Sequence, residues 1–246
     1  MAFSFFKKQT VTPDLSFIGV DMHSHLLPGI DDGLKTVEET VAYVKELQAL
    51  GYKKLICTPH ILSGVHDNTP ETITAAYEIA KKALADEGVS VVLEFAAEYM
   101  IDEYFEKHIK SSDKLLTFGD NNILIEMSYL AMPYNLYEVI FELQMRGYNP
   151  ILAHPERYNF FHGDFEKYEE LRDRRIPFQL NLLSLSGYYG KEIKKIAEKL
   201  IDKKMVEFIG TDMHHINHLN ATKAFVSSKD FYDLVKDIPL MNQSLF

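Results

Sequence analysis

The sequence predicts an α/β fold, a distorted (β/α)7 TIM-like barrel, and three observations point to it. Short β-branched runs alternate with helical patterns along the chain. A length of 246 residues, 46% of them hydrophobic, suffices for one domain with a large core. Unusual polar residues recur just after the β-branched runs, at the ends of strands where barrels build their sites.

The runs read SFIGVDM, KKLICT, SVVLEFA, NILIEM, NPILAH, IPFQLNL and VEFIGTD. The first helix is predicted after Thr36, which pairs with Glu39 three residues on as a capping box. Val37, Val41, Val44 and Leu47 form its apolar face, and Gly51 stops it. A second helix runs from about Pro70 to Gly88, with Thr69 as cap and proline at the first helical position. YNLYEVIFELQMRG, DFEKYEELRDRR and KEIKKIAEKLIDKK supply three more, and the KDFYDLVKD region the last. Residues 1–16 precede the first strand as an N-terminal extension, and 17–246 form the barrel domain. No repeat, low-complexity tract or linker interrupts that domain.

The balance of 26 basic against 36 acidic residues, net −10, with no dense Lys/Arg cluster, argues against nucleic acid as a partner. The longest apolar runs fall far short of the roughly 20 residues that cross a bilayer, so no transmembrane segment is expected. The opening MAFSFFKK lacks the long apolar stretch of a signal peptide. One cysteine, Cys57, rules out an internal disulfide framework and suits a reducing compartment. A cytoplasmic protein is expected.

His23 and His25 follow the first run, His60 the second, Glu98 the third, Glu126 the fourth, His154 the fifth, and Asp212 with His214 the seventh. Residues spaced i, i+2 on a strand point the same way, so both HSH and the Asp–His pair of TDMH can turn two donors to one cation. Imidazoles and carboxylates without thiolate suit Mn, Fe or Zn, and so many ligands exceed one coordination sphere. His66, His108, His162, His215 and His218 lack this placement.

The motifs DMHSH, DDG, TPH, AAEYM, ILIEMS, HPERY and GTDMH, in this order, resemble the polymerase-and-histidinol-phosphatase (PHP) superfamily. Within it they are similar to the bacterial tyrosine phosphatases of capsule and exopolysaccharide loci, the CpsB/YwqE type. The resemblance covers nearly the whole chain from about residue 18 and implies a PHP-fold phosphatase domain with three divalent metals. His23, His25, Glu98 and Asp212 would hold the first; Glu98 would bridge to a second held by His60 and His154; Asp32, Glu126 and His214 would hold the third. Gly29 and Gly33 let the connecting loop turn back, and Asp31 is expected as a hydrogen-bonding neighbour or loop cap. Arg157 matches the family's phosphate-binding arginine, and with Glu126 it completes the candidate catalytic residues. Seven residues past Asp212, where relatives often carry a second arginine, stands Leu219, with His215 or His218 as candidate replacements.

The implied reaction is metal-assisted phosphomonoester hydrolysis by an activated hydroxide, without a protein nucleophile. The implied partner is a phosphotyrosine protein, a bacterial tyrosine kinase with a tyrosine-rich tail. A cysteine phosphatase is excluded, because the C-x5-R spacing from Cys57 falls on Ser63; Cys57 reads as a small buried strand residue. Tyr99, Tyr129, Tyr134, Tyr158, Tyr188 and Tyr189 follow strands, either as aromatic walls for a phosphotyrosine ring or as packing at the barrel rim. Two other functions share this sequence pattern: a phosphatase of small molecules such as histidinol phosphate or a sugar phosphate, and a metal-binding protein without turnover.

Overall fold

Pro59 has no N–H to give a ladder, and the predicted run KKLICT stops just before it, with a further short strand on the far side. The computed structural model describes residues 12–111 and 113–246. In it KKLICT becomes β2 (Lys54–Cys57), followed by a short β3 (His60–Ile61) beyond the proline. The third predicted run, SVVLEFA, becomes β4 (Val92–Phe95), and beyond it lies a further strand, β5 (Glu98–Met100), so His60 and Glu98 sit in short strands of their own rather than just after the predicted ones. The ladder nevertheless continues past the breaks, through Ala96 N to Cys57 O (2.8 Å) and Glu98 N to Pro59 O (3.0 Å). With β1 (Val20–Asp21), β6 (Asn122–Glu126), β7 (Asn149–Ala153), β8 (Phe178–Asn181) and β9 (Phe208–Gly210), all strand pairs are parallel, in the orders β1-β2-β4 and β3-β5-β6-β7-β8-β9.

The ring closes between β1 and β9 by unlike means at different heights. At the bottom, the buried side chain of Asn242 donates to Val20 O (2.9 Å) and Ile209 O (2.7 Å) and accepts from Ile209 N (3.1 Å). Above it, Asp21 accepts from the backbone and hydroxyl of Thr211. At the top, backbone bonds run from Asp212 N to His23 O (2.8 Å) and from His25 N to Met213 O (3.0 Å).

Alternating strand positions separate two apolar layers. Leu55, Cys57, Ile123, Ile125 and Leu152 face the helices, whereas Ile56, Leu124, Ile151 and Ala153 join Val20, Met22, Phe118, Phe208 and Leu245 in a smaller inner cluster. The interior is thus packed, as barrel interiors are.

The helices are α1 (Val37–Ala49), α2 (Pro70–Asp86), α3 (Glu103–Lys110), α4 (Leu136–Met145), α5 (Glu166–Asp173), α6 (Lys191–Asp202), α7 (Ile216–Val226) and α8 (Lys229–Val235). The capping box of Thr36 and Glu39 forms as read. The apolar face of α1 needs correction: Thr40, Tyr43, Val44 and Leu47 are buried, and Val37 and Val41 lie at the edge. Thr40 is tolerated inside because its hydroxyl donates to Leu26 O (2.7 Å). Two helices were not anticipated. α3 is capped by Asp102 and anchored by only Phe105 and Ile109; α7 is capped by His215, whose side chain accepts from His218 N. Of the extension, residues 1–11 lie outside the described residues, while Leu15 is buried and donates its N–H to Leu50 O.

Candidate metal centre

Four donor atoms from three places in the chain meet at the top of the barrel. Nε2 of His23 lies 3.3 Å from Nε2 of His25, 3.3 Å from Oε2 of Glu98 and 3.4 Å from Oδ1 of Asp212. Nε2 of His25 is 3.4 Å from the same two carboxylate oxygens. A tetrahedral ion with bonds of about 2.1 Å has donor–donor edges of about 3.4 Å, so His23, His25 and Glu98 fit one cation, while Asp212 also groups with His23 and His154.

The second oxygen of Glu98, Oε1, turns to Nε2 of His154 (3.0 Å), while Oε2 also lies 3.1 Å from Nδ1 of His60. Nδ1 of His60 is in turn 2.8 Å from Oε1 of Glu126. His60 Nδ1, Glu98 Oε2 and Glu126 Oε1 are buried yet make no hydrogen bond among the described residues. Close approach without alignment is what donors show when they face a shared point rather than each other, and buried polar atoms require some partner. A third group joins Asp32 Oδ1 to Nε2 of His214 (3.4 Å) and Nε2 of His60 (3.5 Å), with His25 beside them. The donors therefore group differently from the partition the resemblance implies. Glu126 gathers with His60 and Glu98 rather than in the group of Asp32 and His214, Asp212 gathers with His23 and His154, and the His60 ring spans two of the groups.

The far sides of three of the imidazoles are held. Nδ1 of His23 donates to Oε1 of Gln179 (2.7 Å), Nδ1 of His25 to Oδ2 of Asp31 (2.7 Å), and Nδ1 of His214 to Asp212 O (2.9 Å). Such partners fix the tautomer and leave Nε2 for a metal. Asp31 also accepts from Gly33 N (2.9 Å) and His60 N (3.2 Å). Gly33 is required there, because a Cβ would lie 2.2 Å from His25 O. His154 and Asp212 both have positive φ, 33° and 49°, a conformation costly for residues with side chains and concentrated at functional sites.

Burial opposes charge on His25 and His23, but Asp31 beside the first, and Glu98 and Asp212 beside the second, outweigh it and raise both above the ordinary histidine range. Burial and His25 likewise oppose charge on His60, yet Glu98 and Glu126 push it up to about 10. Burial alone would raise Glu98 and Asp212; the imidazoles around them hold both well below the usual carboxylate range. The centre is built to hold positive charge.

Asp32, His60, Glu126, His154, Asp212 and His214 border a cavity of about 280 Å³. On its wall, Arg157 donates from Nη1 to Oδ2 of Asp212 (2.9 Å). A family model described as capsular polysaccharide synthesis, CpsB/CapC, matches residues 19–244. The chain belongs to the CpsB/CapC family. Tyrosine-protein phosphatase YwqE of Bacillus subtilis (strain 168) is 27% identical over 238 residues, which cover 92% of this chain and 93% of YwqE. Tyrosine-protein phosphatase CpsB of Streptococcus pneumoniae is 28% identical over 209 residues, covering 80% and 84%. A crystal structure from work on YwqE and CpsB, described there as unique metal-dependent tyrosine phosphatases, is similar with a TM-score of 0.78 at 26% identity, covering 92% and 93% of the two chains.

Several side chains of this CpsB/CapC-family chain sit elsewhere than their sequence positions suggest. Tyr99 and Tyr158 are buried packing residues whose hydroxyls take the N–H groups of Leu116 and Met127. Tyr134 is 87% exposed and outside the cavity wall, which Tyr129 and Tyr189 line. Leu219 is buried. His215 and His218 border the cavity, but His215 caps α7, and burial pushes His218 down to about 4, so it is no cationic substitute for an arginine. His66 stacks on His60, with ring centroids 5.4 Å apart, and its Nε2 is 3.9 Å from Oδ1 of Asp32. His162 instead bonds Glu156 O, and His108 stacks on Tyr104.

Sequence reasoning missed the buried network behind the centre. Gln179 joins His23 to Asn181, whose Nδ2 donates to Oδ2 of Asp212 (2.7 Å), and Glu156 accepts from Asn181 N and the Ser184 hydroxyl. The signal was present in FQLN: Phe178 and Leu180 face the helices, so two amides at alternate positions must face inward.

Proposed function

We propose that this chain is a metal-dependent protein-tyrosine phosphatase. In this reading its substrate is a phosphotyrosine protein of the cytoplasm, a bacterial tyrosine kinase with a tyrosine-rich tail that governs capsular or exopolysaccharide synthesis. His23, His25, Asp32, His60, Glu98, Glu126, His154, Asp212 and His214 would hold three divalent ions, manganese in the first instance, with iron or zinc as alternatives. The observation that carries the reading is the four-donor cluster of His23, His25, Glu98 and Asp212, with Arg157 bonded to its edge in a CpsB/CapC-family chain.

Divalent cations held there would supply Lewis acidity for activating water and for neutralising charge on the phosphoryl group. The chain does the rest. Asp31, Gln179 and the Asp212 carbonyl aim the imidazoles, so their orientation is set before substrate arrives. Arg157 stays charged at any working pH, and its planar fork suits phosphoryl oxygens, more strongly as charge builds in the transition state. Cys57 cannot serve as nucleophile: it is fully buried, and burial pushes its thiol up to about 12.

The test is turnover. Phosphotyrosine peptides should be cleaved faster than phosphoserine peptides or histidinol phosphate, with activity lost on chelation and regained with Mn. Faster cleavage of histidinol phosphate would transfer the chain to the small-molecule phosphatases, and no turnover by fully metallated protein would leave a binding protein.

A further inference from the structure

Among the described residues, Arg157 is the one arginine or lysine bordering the cavity, and two aromatic rings grip it. Its guanidinium carbon lies 4.8 Å from the ring centroid of Tyr129 and 4.5 Å from that of Tyr189. The two rings come from different parts of the chain, one following β6 and the other following β8, and both lie within range of a cation–π contact. Nη1 is tied to Asp212 in addition. A free arginine samples many rotamers, and fixing it on a ligand forfeits that entropy at each binding event. Here the loss is met in folding.

We propose that Tyr129 and Tyr189 are positioning residues that clamp Arg157 in its phosphoryl-contacting geometry, rather than walls that stack on the substrate ring. The role rests on the reading of Arg157 given above. It also bears on Leu219: with no second arginine at that position, a single guanidinium held in a defined place has to orient the phosphoryl group. Tyr189 is the cleaner probe. The ring of Tyr129 also packs 5.8 Å from His154, a candidate metal ligand, whereas Tyr189 neighbours Tyr188 and His218. The Tyr189 hydroxyl is buried without a hydrogen-bond partner among the described residues, so the ring is the part of the side chain with a visible task.

A double-mutant cycle on metal-loaded protein decides the matter, reading kcat/KM with a phosphotyrosine peptide, affinity for inorganic phosphate by calorimetry, and metal content. Tyr189→Leu should lower kcat/KM and phosphate affinity by about 3- to 30-fold, the scale of a lost cation–π contact, at unchanged metal content. Tyr189→Phe should recover most of that loss, since the ring is kept. In an Arg157→Ala background the leucine substitution should add less than about twofold, because coupled residues are not additive. Tyr129→Leu, run through the same cycle, provides the answer if the Tyr189 variant does not fold. Full additivity in the Arg157→Ala background, or a Tyr189→Phe loss equal to that of leucine, overturns the positioning role alone. Wild-type kinetics for Arg157→Ala overturns the reading of Arg157, and the clamp with it.

Discussion

Asp31 and His25 form a buried pair in which Nδ1 of the imidazole donates to Oδ2 of the carboxylate at 2.7 Å, turning Nε2 toward Glu98 and Asp212. The same carboxylate holds the amides of Gly33 and His60, so one side chain orients donors from two strand ends. Asp31→Asn should therefore keep the fold but weaken metal binding by about 10- to 100-fold, the usual consequence of losing such a partner. Competition with a chelator of known affinity measures it. Unchanged affinity would show that loop packing alone orients His25.

Glu98 touches both the first and second donor groups, through Oε2 and Oε1. Glu98→Gln should accordingly remove more than one ion per chain, whereas Asp32→Asn should remove about one, because Asp32 belongs only to the third group. Elemental analysis of both variants after identical metal loading makes the comparison. Equal losses would show that Glu98 does not bridge.

The pattern of what was legible follows from where each residue meets its constraint. Chemistry confined to one strand end shows in the sequence: HSH, TPH and HPERY carry their donors in fixed positions, and Thr36 with Glu39 sets a helix start locally. Grouping among strand ends is a three-dimensional matter, so whether Glu126 sits with His60 or with Asp32 could not be read from spacing. α3 escaped notice because Phe105 and Ile109 are too few to set a period, and α7 because a histidine is an unusual cap. Gln179 and Asn181 were passed over as strand residues, although polar side chains inside a packed barrel need partners there.

Metal binding should release protons. His60 has its pKa raised to about 10 in the metal-free chain, and an imidazole must be neutral to ligate. At pH 7 the proton is on, so affinity should rise with pH toward about 10; calorimetry in buffers of different ionisation enthalpy reads the protons released. The same shift sets the stability of metal-free protein. A folded pKa above the unfolded value of about 6.5 contributes stability that is fully present below pH 6.5 and lost as pH rises through about 10. Melting temperature of chelated protein should fall across that window from this source, and bound metal should flatten the slope. A metal-free protein that gains stability from pH 7 to 10 would contradict the charge pairing.

Asn242 tests how the barrel closes. Its amide stands where a ladder between β1 and β9 would run, donating twice, to Val20 O and Ile209 O, and accepting once, from Ile209 N, in a fully buried place. Asn242→Ala strips all three partners at once. Leaving buried backbone groups unsatisfied costs about 1–3 kcal/mol each before relaxation or water entry, so a net loss of about 2–4 kcal/mol is expected. For a chain of this size that lowers the melting temperature by roughly 5–15 °C. Asn242→Asp discriminates between hydrogen bonding and space filling. It matches the volume and can still accept from Ile209 N, but it sets a carboxylate against two carbonyl oxygens with no proton to give. Aspartate should therefore be worse than alanine near pH 7 and improve as acid protonates it, since its carboxyl pKa would be raised by burial and by those carbonyls. Thermal melts of both variants between pH 5 and 8 supply the measurement. An aspartate variant more stable than the alanine one across that range would mean that Asn242 fills a gap and that the bonds across the seam contribute little.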